Sequence, residues 1–326
     1  MRQYIIRRIL ISLIVLLGVS LMLYTLVRAM PADYVSLATS TSPKMTDEMR
    51  NHLREIYGLN KSIIGGYFDW LGAALKGDFG TSLMFARPVT EVIKQYAPVT
   101  FAVALIALVL ELLISIPLGI LAARKQYSRT DYIITIFVFI GISVPIFFLA
   151  ALMKKAFGYY GLNILPISGM LDARKTYPAG FSFAKLGDYA KHLVMPIACF
   201  VITGCGSMLR YTRTNMLEAL NADYVRTARA KGVPEHQVVY SHAFRNTLIP
   251  IVTLLGSSLP GLFSGAAITE GLFALEGLGN IALRAANMAD VPYLMGFNMF
   301  LAVLTVLGYL ISDILYAVVD PRVRLS

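Results

Sequence analysis

The chain has 326 residues, 57% of them hydrophobic and only 15% charged, with a mean hydropathy of +0.65. A soluble domain carries about 25% charged residues, and an aqueous globule of this length has no interior able to hide so much apolar surface. The composition therefore excludes an ordinary water-soluble enzyme, and the low charge excludes a disordered chain. A formal net charge of +10 would suggest nucleic acid in a soluble protein; here the position of the cations relative to the apolar runs decides what the charge means.

Six nearly uncharged stretches, each about long enough to cross a bilayer core, fall at residues 9–27, 99–123, 133–153, 193–209, 247–269 and 293–319. The first follows Arg2, Arg7 and Arg8 as a secretory signal would. At 19 residues it is long for such a segment, and Val27-Arg28-Ala29 is a poor cleavage site, so it reads as a retained helix. An even number of crossings puts both termini on one side. Segments 1–8, 124–132, 210–246 and 320–326 hold 14 Lys/Arg in 61 residues, whereas 28–98, 154–192 and 270–292 hold 15 in 133. The denser side is expected to be cytoplasmic. The expectation is an all-α polytopic membrane protein of six transmembrane helices with both termini cytoplasmic, whose basic balance serves membrane lipid and requires no nucleic acid.

The chain divides on this basis into residues 1–94 and 95–326. The first part is one transmembrane helix and a long extracytoplasmic loop, and the second is a five-helix core with a cytoplasmic loop at 210–246. Within the first loop, Met49, Leu53 and Ile56 follow Asp47 and Glu48 and precede Gly58, which predicts an amphipathic helix lying on the outer face. The second run carries Glu111 and the sixth Asp313. An acid in the membrane is costly and is usually functional or paired. Each reads either as a cation relay or substrate-amine contact, or as a hydrogen-bonded structural acid facing another helix. Cys199 and Cys205 stand about 9 Å apart along a helix, too far for a disulfide, and read as small buried apolar residues.

In the fifth run Ser257, Gly261 and Gly265 recur every four residues, while Pro250, Gly256, Ser258 and Pro260 interrupt the same helix. Small residues at that spacing allow two backbones to approach closely. Proline and glycine also suit a helix that lines a polar path. Both readings stand, and Glu111, Ser257, Ser258 and Gly261 are the pathway candidates. No phosphate-binding Gly-x4-Gly-Lys-Ser/Thr loop, His-Glu-x-x-His pair or Gly-x-Ser-x-Gly elbow occurs. No catalytic residue, metal site or cofactor is expected of this chain.

The loop 210–246 is the most informative segment. Asp223-Tyr-Val-Arg-Thr-Ala-Arg-Ala-Lys-Gly232 begins with a capping-type Asp and ends on Gly, which predicts a short helix with both ends signalled. Val233-Pro234 restarts the chain, and 235–244 is expected to form a second helix leading to Arg245 and Asn246. Tyr224, Val225 and Ala228 would form its docking face.

These residues resemble the cytoplasmic Glu-Ala-Ala-x3-Gly motif of the membrane subunits of binding-protein-dependent ABC importers, with Ala228 and Gly232 at its second Ala and its Gly. Arg226 and Thr227 replace the Glu and first Ala, as in the peptide-transporting branch, and His242 to Asn246 follow that branch too. The resemblance extends through Tyr4-Ile-Ile-Arg-Arg8, Tyr57-Gly-Leu59, Gly77-Asp-Phe-Gly-Thr-Ser82, Pro117-Leu-Gly119 and Leu165-Pro-x-Ser-Gly169. Later come Glu270-x-x-Phe273, Gly277-Leu-Gly279, Asp290-x-Pro292 and Asp320-Pro-Arg322. Glu276 stands where the family usually has Pro.

The chain is thus similar to a B-type oligopeptide/dipeptide permease. That resemblance implies a type I ABC importer fold in a bacterial or archaeal cell membrane, with this chain forming half of a path for peptides. It further implies a related C-type permease, two cytoplasmic ATPases that bind ATP and Mg, and an extracellular substrate-binding protein. Asp223, Tyr224, Val225, Ala228, Gly232, Arg245 and Asn246 would carry the ATPase coupling. Nickel and oligosaccharide importers share the same plan. From the residues alone, an ion-coupled secondary transporter using Glu111 or Asp313 is the other reading, and a membrane scaffold a more distant one.

Overall fold

The structure, a computed structural model, describes residues 2–29, 34–39, 46–159, 161–178, 180, 182–258, 261–264 and 267–319. The described chain is helix, turn and loop, with one isolated bridge between Thr81 and Pro88. The first run forms α1 (Arg2–Arg28), and the loop after it holds α2 (Tyr34–Thr39), α3 (Asp47–Ile56) and α4 (Ile63–Ala74). The α3 helix forms where predicted. Thr46 caps it by accepting from the Met49 N–H at 3.3 Å, and Gly58 follows at φ +65. Of its apolar stripe Leu53 packs onto the rest of this end, against the cluster of Tyr24, Val35 and Tyr67, whereas Met49 and Ile56 stay 52% and 62% exposed. The basic edge docks as well: Arg54 donates to the Ser36 hydroxyl at 2.7 Å and Arg50 to Thr39 at 3.3 Å.

Among the described residues four helices are long and apolar enough to cross a membrane: Ile6–Arg28, Val89–Arg124, Phe183–Asn221 and Val291–Ser312. The second of these is α5 (Val89–Arg124), so the division drawn at 94/95 falls inside an unbroken helix. The third run is not one helix as expected. It forms α6 (Arg129–Ser143) and α7 (Ile146–Phe157), bent by 103°. Pro145 causes the break by pushing Val144 out of the helical region, to φ −88, ψ 119. Counting the bent pair as one span makes five.

The 39-residue α8 (Phe183–Asn221) follows, then α9 (Asp223–Ala230) and α10 (Glu235–Gln237). A π-helical turn, Val238–Phe244, leads into α11 (Arg245–Ser258). In the fifth run the described residues are helical, as α11, α12 (Gly261–Ser264) and α13 (Ala267–Leu272). The chain closes with α14 (Leu278–Asn287) and α15 (Val291–Val319). Asp320, Pro321 and Arg322 and the side chains of Pro250, Ser257, Ser258 and Asp313 lie outside what the structure describes.

The long α8 is the spine on which the others are ordered. At one end Asp131 at the start of α6 takes two hydrogen bonds from Arg213, at 2.8 and 2.9 Å. Higher up, Gly206 leaves room for Ile142, and at the other end Ala150 of α7 is buried with Met195 and Cys199. The two pieces of the third run therefore climb from residue 213 of α8 to residue 195, about 27 Å of helix. Helix α5 lies along α8 and approaches closely at Gly119, where an added Cβ would stand 2.8 Å from the Thr212 Cβ. The described parts of the fifth run make the same climb. Thr247 meets Met216 near one end, and Phe273 is buried with Met195 at the other.

The loops consequently gather at two ends. At one end, the Ser82 hydroxyl bonds the Asp290 carboxylate, which also accepts from the Met84 N–H at 3.0 Å and caps α15 through the Tyr293 N–H at 3.3 Å. Gly169 donates to the Phe273 carbonyl there at 2.8 Å. The other end holds 124–132 and 210–246. The grouping matches the two sides drawn from the charge count.

Candidate functional site

The loop after α8 is built as a rigid unit. Asp223 is not the cap of α9: it is the first helical residue, Ala222 occupies the cap position without a side-chain bond, and the Asp223 carboxylate instead stands in the first turn, where the helix dipole favours it. The far end terminates as predicted. Gly232 sits at φ +75 and donates to Arg229 at 3.0 Å, while Val233 donates to Ala228 at 3.2 Å. That pair of bonds is the left-handed stop for which glycine is suited. Arg229 then braces α10 with bonds of 2.8 and 3.1 Å to Glu235, and it holds that carboxyl below the usual carboxylate range.

Val225 and Ala228 do not form an outward docking face. They are 0% and 7% exposed, packed with Ile120, Ala123 and Met216 of α5 and α8 and with Val238, Val239 and Ala243 of the π-helical turn. An apolar i, i+3 pair needs cover, and this chain supplies it. What the loop presents outward is Tyr224, 42% exposed, with Arg226, Thr227, Lys231, Arg245 and Asn246. The loop is thus clamped to the ends of two long helices by its apolar side and is polar on the other.

The second site lies on α8 itself. Thr203, Ser207, Arg210, Thr214, Glu218 and Asn221 recur every three or four residues, so they form one stripe on one face. Thr203 is half-buried and the rest are exposed. Polar and charged groups in a spanning helix are expensive unless they face a partner or a water-filled space. Two hollows lie along that stripe. A cavity of about 300 Å³ is lined by Glu111, Phe200, Thr203, Gly204, Gly261 and Glu270. A second, of about 360 Å³, is lined by Ser207, Arg210, Tyr211, Thr214 and Asn215, with Ile142 at its edge.

Two of the pathway candidates, Glu111 and Gly261, therefore meet in one cavity. The Glu111 carboxyl lies against Gly204, where an added Cβ would stand 2.7 Å from its Cδ. Among the described residues neither the Glu111 carboxyl nor the Arg210 guanidinium has a hydrogen-bond or ion-pair partner.

Glu270 was missed as a site residue. It is 3% exposed and accepts from the Thr100 hydroxyl at 2.8 Å and the Asn280 N–H at 3.0 Å. Thr100 in turn accepts from the Leu278 N–H at 2.7 Å. The pair satisfies the first turn of α14 from outside, in place of a local cap. The signal was an acid directly after an apolar run and before Gly277-Leu-Gly279. An added Cβ at Gly277 would come within 2.5 Å of the Glu270 carboxylate. On the same end, burial and the Asp290 carboxylate push the Tyr57 phenol up to about 12, while it donates to the Thr81 carbonyl at 2.9 Å. Among the described residues no three His, Cys, Asp or Glu side chains are placed to hold a metal ion.

An all-helical chain with several membrane spans, a polar stripe along one of them and a braced polar loop at its foot is a transport permease. The chain matches the family described as "Binding-protein-dependent transport system inner membrane component" over residues 115–325, and the corresponding N-terminal family over residues 1–104. It is 38% identical over 325 residues to the oligopeptide transport system permease protein AppB of Bacillus subtilis, covering 99% of this chain and all of the relative. It is 32% identical to the dipeptide transport system permease protein DppB of Lactococcus lactis, over the whole of both chains. It is also 33% identical to the probable D,D-dipeptide permease protein DdpB of Escherichia coli, over 95% of this chain and 94% of the relative. The chain belongs to this family: it is an integral membrane permease subunit of a binding-protein-dependent transport system.

Proposed function

We propose that this subunit forms half of an ATP-driven import path for peptides, the cargo class named in its relatives. In this reading it crosses a bacterial or archaeal cell membrane six times with both termini cytoplasmic. The climb of the bent third run and of the described parts of the fifth run along α8, and the gathering of loops at two ends, support six crossings. A related permease completes the path, an extracellular protein delivers cargo, and two cytoplasmic ATPases bind ATP and Mg.

The polar stripe on α8 carries the reading, since it provides a route past the apolar core for a polar cargo. The foot of the same helix bears the coupling loop. Force applied to Tyr224 and its exposed neighbours passes through buried Val225 and Ala228 into α5 and α8, whose cavity and stripe then change the side they face. Gly232 keeps α9 short, so that push is not absorbed by bending.

The unpartnered Glu111 favours one other reading, in which this chain alone couples cargo to an ion. Reconstitution separates the two. Vesicles holding the complete complex should accumulate peptide only with ATP and the binding protein. Uptake by this chain alone, driven by an ion gradient without ATP, would establish the secondary transporter instead.

A further inference from the structure

We infer that Glu111 and Arg210 read the two termini of a free peptide in transit, Glu111 the α-ammonium and Arg210 the α-carboxylate. The inference rests on the peptide-import reading above and names the groups on this chain that would give it chemical selectivity.

Both side chains border the hollows along one face of α8, Glu111 at the upper cavity and Arg210 at the lower one. They carry opposite charges, and neither has a partner among the described residues. Glu111 stands at the middle of the apolar run 99–123, where a lone carboxylate is most costly and gains most from an arriving cation. Gly204, by lacking a side chain, lets that carboxyl reach the α8 face. Arg210 lies six residues beyond Gly204 along α8, about 9 Å of rise and about a third of a turn round the helix. An extended chain advances about 3.3–3.6 Å per residue, so a peptide needs at least about three residues to span the two groups. Ser207 and Tyr211 line the lower cavity with Arg210, hydroxyls that accept or donate to peptide groups without demanding a sequence. A guanidinium suits a carboxylate because its planar fork meets both oxygens. The order of charges also sets a direction, with the amino end toward the upper cavity and the carboxyl end toward the foot of α8.

The test uses the complete complex in vesicles, with ATPases, companion permease and binding protein. Uptake of a free tripeptide is compared with its N-acetylated and its C-amidated forms in the wild type, Glu111→Gln and Arg210→Gln. The binding protein is common to every arm, so its own preferences divide out of the ratios. Glu111→Gln should lose about tenfold of the preference for free over N-acetylated peptide, the worth of one hydrogen bond to a charged group. Its preference over the amidated form should stay as in the wild type. Arg210→Gln should show the converse. Should a glutamine variant fail to assemble, Glu111→Asp and Arg210→Lys replace it; each should lower the preference over one blocked form only, a selectivity that a packing defect does not produce. Unchanged ratios, or an Arg210 variant that lowers all uptake equally because the side chain holds a lipid phosphate or the companion permease, would overturn the assignment while leaving peptide import intact. A wild-type complex that moves no peptide would overturn the import reading beneath it.

Discussion

The two ends of the molecule are held by different forces. At the end bearing residues 77–88 and 270–293, buried polar side chains make directional bonds: Ser82 and Met84 to Asp290, and Thr100 and Asn280 to Glu270. At the foot of α8 the coupling loop is held chiefly by apolar contact around Val225 and Ala228. Beyond α8 its polar contacts are exposed, as in Arg229–Glu235, and exposed pairs contribute little; the buried pair at this end, Arg213 with Asp131, ties α8 to α6 and leaves α9 free of it. Directional bonds fix one geometry, whereas an apolar contact tolerates small rotations while it still transmits force. One end is suited to stay fixed and the other to move as a lever.

Substitutions at four positions sharpen that contrast. The largest effect is expected at the lever. Ala228→Glu would bury an unpaired charge under α9 and cost about 3–5 kcal/mol, detaching the loop and with it the ATPases. Tyr224→Glu, on the exposed side, should weaken ATPase pull-down without lowering the melting temperature of the subunit. Equal melting temperatures for the two variants would contradict the burial of Ala228 as the anchor.

At the other end, Glu270→Leu leaves Thr100 and the first turn of α14 unpaired and should cost roughly 2–4 kcal/mol. The Glu270→Gln amide keeps an acceptor and should lose less. Thermal melts of the solubilised complex check both, and a leucine variant as stable as the wild type would mean that this end is not held by its polar bonds.

A smaller loss of stability than at Ala228 or Glu270 falls on Gly232. A β-branched residue at φ +75 costs about 1–2 kcal/mol, and Gly232→Val is expected to insert and assemble while uptake and cargo-stimulated ATP hydrolysis fall together. Hydrolysis that stays fully stimulated while uptake is lost would place the fault elsewhere than in the lever.

Much of this arrangement was legible in the sequence. The six apolar runs, the α3 helix and the stop at Gly232 follow from composition, spacing and glycine placement. Pro145 was visible, but its consequence depended on where the next piece of chain found a surface to climb. The spacing of Val225 and Ala228 announces an apolar face without saying whether this chain or a partner covers it; Ile120 and Met216, far off in sequence, decide that. The stripe on α8 stayed hidden because Thr203 and Ser207 are uncharged and pass a count made on charge and hydropathy, so only the helical register aligns them with Arg210 and Thr214. Glu270 finds its partner Thr100 at a separation of 170 residues, which no local pattern encodes.

That the α8 stripe lines the cargo path is tested most directly by its access to water. With Cys199 and Cys205 replaced by alanine, single cysteines are placed at Thr203 and Ser207 on the stripe and at Leu113 and Phe137, which are 66% and 71% exposed on apolar helix faces. In the assembled complex a charged thiol reagent should modify the two stripe positions and be slowed there by transported peptide, while Leu113→Cys and Phe137→Cys stay unmodified. Stripe cysteines as unreactive as Phe137→Cys, with or without peptide, would show that the stripe does not line the path.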